Sequence, residues 1–181
     1  MNSELELKLS ESTARRIDRE SLRNYVIRKE IIEELTAIAF SLQHESHVMA
    51  FWTLELVCEK KLKFFVPFID SFCEVLPKLK DDSSIRPATK IAYFLAKSNH
   101  RKNGITLSHE QEHNLIEALI DRLIQEEKVA AKVYAMKALF VFGKKYDWIN
   151  TELKEILVQD FPNHSAAYKS ASKHILKKLN N

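Results

Sequence analysis

His109-Glu110-Gln111-Glu112-His113 places two imidazoles four residues apart. On a helix that spacing puts both on one face, where they could hold Zn²⁺ with a carboxylate beside them as general base. The preceding residue argues for another reading. Ser108 with Gln111 has the form of a capping box, so the motif falls in the first turn of a helix. Glu110 and Glu112 then complement the positive end of the helix dipole. No third ligand stands at a metal-site spacing. His109 and His113 are the metal candidates, and no resident metal or other cofactor is expected. His44-Glu45-Ser46-His47 reads as a polar turn, and His100, His164 and His174 are isolated in the sequence.

A second chemistry is electrostatic. The chain has 28 Lys and Arg against 25 Asp and Glu, a net charge of +3 that hides an uneven distribution. Residues 84–102, 128–145 and 164–181 together hold 14 basic residues and no acidic one, which leaves −11 for the rest. Arg86, Lys90, Lys97 and Arg101 fall at i, i+4, i+11 and i+15, with Tyr93 at i+7 on the same helical stripe. Lys137 and Lys144 stand seven apart with Phe140 between them, and Tyr134 sits one turn before. Lys169, Lys173 and Lys177 form a ladder. Side by side, these stripes would merge into a cationic face with interleaved aromatic rings. Such a face attracts nucleic acid or an acidic protein segment, and the attraction falls with salt. Six of the 14, namely Arg101, Lys102, Lys144, Lys145, Lys177 and Lys178, stand at helix C-terminal ends. There they also complement the dipole.

The elements that must position these residues are helical. Hydrophobic residues make up 45% and charged residues 29%, as in globular domains. Only 2 Gly and 4 Pro disfavour an all-β fold and leave no Gly-rich phosphate loop. No apolar run approaches the ~18 residues of a membrane span. The first residues have neither a basic nor an apolar signal region, so a cytoplasmic protein is expected. Cys58 and Cys73 lie among apolar neighbours and read as reduced core thiols.

Ile31, Leu35, Ile38 and Leu42 recur at helical spacing. So do Leu115, Leu119, Ile120 and Leu123, then Ile149, Leu153, Ile156 and Leu157, then Tyr168, Ala171, Ile175 and Leu179. Only Leu5-Glu6-Leu7-Lys8-Leu9 alternates with period two. The spacing predicts an N-terminal helix over 12–28, then four helix pairs. They are 29–42 with 46–61, 66–80 with 84–100, 108–126 with 128–144, and 148–160 with 164–179. Pro67 is expected to open one helix. Ser84 is expected to cap another with Pro87 in its first turn, and Asn163 to cap the last.

The second helices share a loose pattern: Val48-x-Ala50-x-x-x-Leu54, Ile85-x-Pro87-x-x-x-Ile91, Val133-x-Ala135-x-x-x-Leu139 and Ser165-x-Ala167-x-x-x-Ala171. Their steps are 37, 48 and 32 residues, with the polar insertion His100–Gly104 in the long one. Paired helices at a period of about 40 resemble the HEAT-like repeats. The resemblance covers 29–181. It implies one all-α domain over 1–181, a short right-handed superhelix of antiparallel helix pairs whose second helices line an inner, often binding, surface. HEAT-like alkylpurine DNA glycosylases hold DNA on such a scaffold, but no counterpart of their catalytic site is found in this sequence.

Val129–Leu179, with Tyr146-Asp147-Trp148-Ile149 and the tail from Ser165, resembles short bacterial proteins known as adenylosuccinate lyases. The mobile loop of that superfamily, G-S-S-x-M-P-x-K-x-N, is met here only by Asp82-Ser83-Ser84-Ile85-Arg86-Pro87-Ala88-Thr89-Lys90. Asp82 replaces Gly, Arg86 replaces Met, and Lys90 comes one place late. The expected function is therefore a non-enzymatic interaction module with no membrane and no small-molecule substrate. It would bind an acidic protein or a nucleic acid through Arg86, Lys90, Tyr93, Lys97, Arg101, Lys137, Lys144, Lys169, Lys173 and Lys177. The alternative is an enzyme, either lyase-like or a metal-dependent hydrolase.

Overall fold

Helical spacing of apolar residues becomes buried stripes. Leu115, Leu119 and Leu123 form one, and Ile149, Leu153 and Leu157 another, each residue at most 1% exposed. The computed structural model describes residues 3–180, and among them every regular element is a helix. The order is α1 (Ser3–Glu11), α2 (Arg16–Lys29), α3 (Ile32–Phe40), α4 (His47–Lys61), a 3-10 helix (Leu62–Phe68) and α5 (Ile69–Val75). A 3-10 turn (Leu76–Lys78) leads into α6 (Asp82–Asn99), α7 (His109–Ile124), α8 (Val129–Phe142) and α9 (Asp147–Asp160). Another 3-10 turn (Phe161–Asn163) precedes α10 (Ala166–Leu179). Contacts divide the chain into two units, the first ending at Ile91 and the second starting at Ala92, so the boundary falls inside α6.

The first unit is built on α4. Ala50, Phe51, Leu54, Leu56, Val57 and Cys58 are buried around most of its circumference, so the helix must be covered on several sides. Helices α2 and α3 cover it. The rings of Phe40, Phe51, Phe65 and Phe72 cluster at centroid distances of 5.4–6.4 Å. Cys58 and Cys73 are free and buried. Burial, helped by nearby Glu55, pushes the Cys58 thiol well above its ordinary range.

Several local expectations are corrected here. The alternating Leu5–Leu9 segment belongs to helix α1, because Leu5 and Leu9 are buried one turn apart while Leu7 stays exposed. The helix expected at 66–80 is broken into 3-10, α and 3-10 pieces. Pro67 lies inside the first piece and Pro77 inside the last, and each lacks the N–H that would continue an α-helix. Helix α6 begins at Asp82, before Ser84, and Asp81 caps it, its Oδ1 accepting from the Ser84 N–H at 2.8 Å. Pro87 therefore lies in the second turn. It cannot bond to the Ser83 carbonyl, and the Trp52 indole N–H donates to that carbonyl instead, at 2.6 Å.

The second unit is built on α8 in the same way. Ala131, Ala135, Met136, Ala138, Leu139 and Phe142 are buried, with α7, α9 and α10 against them. The Ser108–Gln111 capping box is present in both directions. Ser165, and not Asn163, caps α10; Asn163 ends the preceding 3-10 turn. The polar segment 100–104 folds back as a turn in which the Gly104 N–H donates to the Arg101 carbonyl at 3.0 Å. A Cβ at Gly104 would meet the Ser98 carbonyl oxygen at 1.6 Å, so no other residue fits. The Ser98 hydroxyl and Asn99 side chain accept from the N–H groups of Ile105 and Leu107, which ties this segment to the end of α6.

Candidate functional site

The end of α6, one face of α8 and one face of α10 enclose a groove of about 750 Å³. Helix α6 and the turn after it supply Tyr93, Lys97 and Arg101. Helix α8 supplies Lys137 and Phe140, with Lys144 just past its end. Helix α10 supplies His174 and Lys178. Between these cations the groove surface is apolar or small, made by Val133, Val141, Ala167, Ala171 and Ile175. No Asp or Glu lines it. Among the described residues, Lys97, Arg101, Lys137, Lys144 and Lys178 have no carboxylate within ion-pair distance.

Aromatic faces hold three of the ammonium groups. Lys97 Nζ lies 5.4 Å from the centre of the Tyr93 ring, Lys137 Nζ 5.7 Å from Tyr134, and Lys178 Nζ 5.7 Å from Phe140. The Tyr93 and Tyr134 rings themselves pack at 6.3 Å. Cation–π contact contributes about 0.5–1 kcal/mol at exposed sites. That is enough to orient a lysine without neutralising it.

Five of the ten residues expected to bind meet here: Tyr93, Lys97, Arg101, Lys137 and Lys144. Arg86 and Lys90 are engaged elsewhere. Lys90 Nζ lies 2.7 Å from Glu55 Oε1 and 3.6 Å from Glu59, and Arg86 lies 3.2 Å from Glu55 Oε2. Glu55 is 2% exposed, and a carboxylate so buried requires such partners. Lys169, Lys173 and Lys177 lie outside the groove lining. Their stripe is turned about 100° from the groove-facing stripe of α10, and Lys169 and Lys173 each sit 5.8 Å from the Phe161 ring. The residues that α10 does contribute, His174 and Lys178, lie outside the expected set. Their signal is the run of small residues at 167, 170 and 171, which continues along the same face to 174 and 178.

Other charges of the basic segments also have partners. Lys132 is buried 3.7 Å from Asp160, and Lys145 lies 2.6 Å from Glu112. Glu112 is the least expected residue of the unit. The helix dipole alone explains it in the sequence, yet it is 1% exposed and accepts hydrogen bonds from Asn99 Nδ2 at 2.5 Å, Lys145 Nζ and the Tyr146 hydroxyl. Burial opposes its ionisation, but the three donors together hold its carboxyl below the ordinary range.

His109 and His113 are exposed, and His113 Nε2 lies 3.2 Å from Glu117. Among the described residues no group of three or more His, Cys, Asp or Glu could hold a metal ion. Residues 82–90, the segment set beside the lyase loop in the sequence, form the first half of α6 with Ser84 and Thr89 buried. No described helix is long and apolar enough to cross a membrane. No model of a known protein family matches this chain, and no curated protein is significantly similar to it.

Proposed function

We propose that the protein is a non-enzymatic interaction module that holds a polyanionic partner in the groove between α6, α8 and α10. The observation that carries this reading is a concave surface with five cations, no acid in its lining and, among the described residues, no carboxylate partner for any of the five. Bringing these like charges together costs Coulomb energy that no ion pair among the described residues returns. An anionic ligand would return it. In this reading the pairs α7–α8 and α9–α10 are HEAT-like repeats, and α8 and α10 are the second helices that present the binding face.

Retention on heparin tests the proposal. The chain is expected to bind heparin at low salt and to release it steeply as salt rises. Lys97→Glu with Lys137→Glu and Lys144→Glu is expected to lower the affinity at least ~10-fold at about 0.1 M salt. The same three changes at Lys169, Lys173 and Lys177 alter net charge equally and should cost much less. Equal losses in the two triple variants would mean that net charge, and not the groove, attracts the ligand.

A further inference from the structure

We infer that the occupant of this groove is an acidic amphipathic helix from another protein. The inference rests on the polyanion-binding reading above and adds the class of partner. The groove joins two chemistries that a nucleic acid and a helix use differently. Its rim carries Lys97, Arg101, Lys137, Lys144 and Lys178, while its floor is Val133, Val141, Ala171 and Ile175. A duplex presents phosphates along its outside and has no apolar surface to bury against such a floor. A single strand needs bare aromatic faces on which bases stack. Here a face of each of the Tyr93 and Phe140 rings is already taken by a cation: Lys97 lies over Tyr93, which also packs on Tyr134, and Lys178 lies over Phe140.

An amphipathic helix meets both halves of the surface. Apolar anchors at i, i+3 or i+4, and i+7 would lie on the floor, and flanking carboxylates would reach the rim. Size agrees. From Val133 to Val141 the face of α8 runs about 12 Å, or about two turns of a docked helix, with Lys144 just past its end. The small side chains of Ala167, Ser170 and Ala171 let the incoming backbone approach α10 closely. Truncating the floor contacts would leave the charge attraction in place, so the two contributions separate by mutation.

The test uses a display library of random peptides about 16 residues long, selected on the full chain. The groove is then blocked without changing charge by Ala171→Trp and, separately, by Ala167→Trp at an exposed position. Selected peptides are expected to be acidic, with apolar residues at helical spacing. Either tryptophan should lower their affinity at least tenfold, while Ala166→Trp, exposed on α10 outside the groove lining, should change it less than about twofold. Acidic peptides without apolar periodicity, or peptides indifferent to both tryptophans, would overturn the helix proposal and leave the polyanion reading standing. An oligothymidylate of about 16 nucleotides that binds more tightly than every selected peptide, and is lost in the tryptophan variants, would assign the groove to single-stranded nucleic acid. Failure of peptides, oligonucleotide and heparin alike would remove both proposals.

Discussion

Arg86 and Lys90 share one stripe of α6 with Lys97, which Arg101 follows in the turn beyond the helix, yet the two halves of the helix meet different neighbours. In the first unit α4 offers Glu55 and Glu59, and both cations turn to them. In the second unit the corresponding neighbour is α8, which offers Tyr134 and Lys137 and has no acid. Spacing along one helix is thus the same in both halves, and the facing helix decides what the charge does. A buried carboxylate converts a basic stripe into a structural ion pair. Without one, the stripe remains available to a ligand. The largest mutational effects should follow this division: stability in the first unit, binding in the second.

Glu55→Ala should be the most damaging change, because it leaves Arg86 and Lys90 beside a vacated, buried position. A loss of about 3–5 kcal/mol is expected. Urea unfolding midpoints measure it. Glu55→Met combined with Lys90→Met should recover most of that loss, since an apolar pair of similar volume no longer has to be desolvated as ions. A double variant as unstable as Glu55→Ala would show that the ion pair is not what Glu55 contributes.

Glu112 is the second unit's counterpart to Glu55, and it sharpens the comparison through pH. Its folded pKa is depressed, so its contribution to stability is fully present above the unfolded carboxylate value of about 4.3. That contribution disappears as pH falls through the folded value, where both states are protonated. Glu112→Gln should cost about 1–3 kcal/mol at neutral pH, and the cost should shrink progressively as pH falls below the unfolded carboxylate value of about 4.3. Unfolding midpoints followed from neutral pH down into the acid range give the difference. A cost independent of pH would mean that the carboxylate's charge is irrelevant and only its shape matters.

Along α6 itself, matched substitutions should separate the halves. Lys90→Met leaves Glu55 short of its closest partner and should destabilise by about 2–3 kcal/mol. Lys97→Met removes an exposed cation with no acidic partner, so stability should stay within about 0.5 kcal/mol. Heparin affinity should show the reverse order, with Lys97→Met the weaker binder. Equal effects of the two changes in either assay would dissolve the distinction between the halves.

What the sequence discloses follows sequence distance. The capping box at Ser108 and most of the helices are legible because their signals lie within a few residues of the structure they cause. Tyr93 and Lys97 are legible as groove residues because helical spacing puts them on one face of α6, and Arg101, Lys137 and Lys144 stand near in sequence to the same two helix faces. The fate of Arg86 and Lys90 is not, because it is decided by Glu55, more than thirty residues earlier. The orientation of α10 is hidden for another reason. Its core stripe is Tyr168, Ser172 and Ile175, and the buried polar Ser172 disguises it, so Ala171 reads as core and the lysine ladder as groove. Glu112 gives no warning at all, since an acid in a first helical turn already has a sufficient local reason to be there.

The smallest expected effect probes how the first half of α6 is seated. The Ser83 carbonyl, to which Pro87 has no N–H to donate, accepts from the Trp52 indole. Trp52→Phe keeps an aromatic ring and removes that donor, and should cost about 1 kcal/mol. Pro87→Ala supplies a backbone N–H four residues on, able to bond to the same carbonyl. In that background Ser83 no longer depends on the indole, so Trp52→Phe should cost less than half as much. A double-mutant cycle from urea unfolding reads the coupling directly. If Trp52→Phe costs the same in the original chain and in the Pro87→Ala background, Trp52 acts through ring packing alone. The hydrogen bond would then not be what joins α4 to the start of α6.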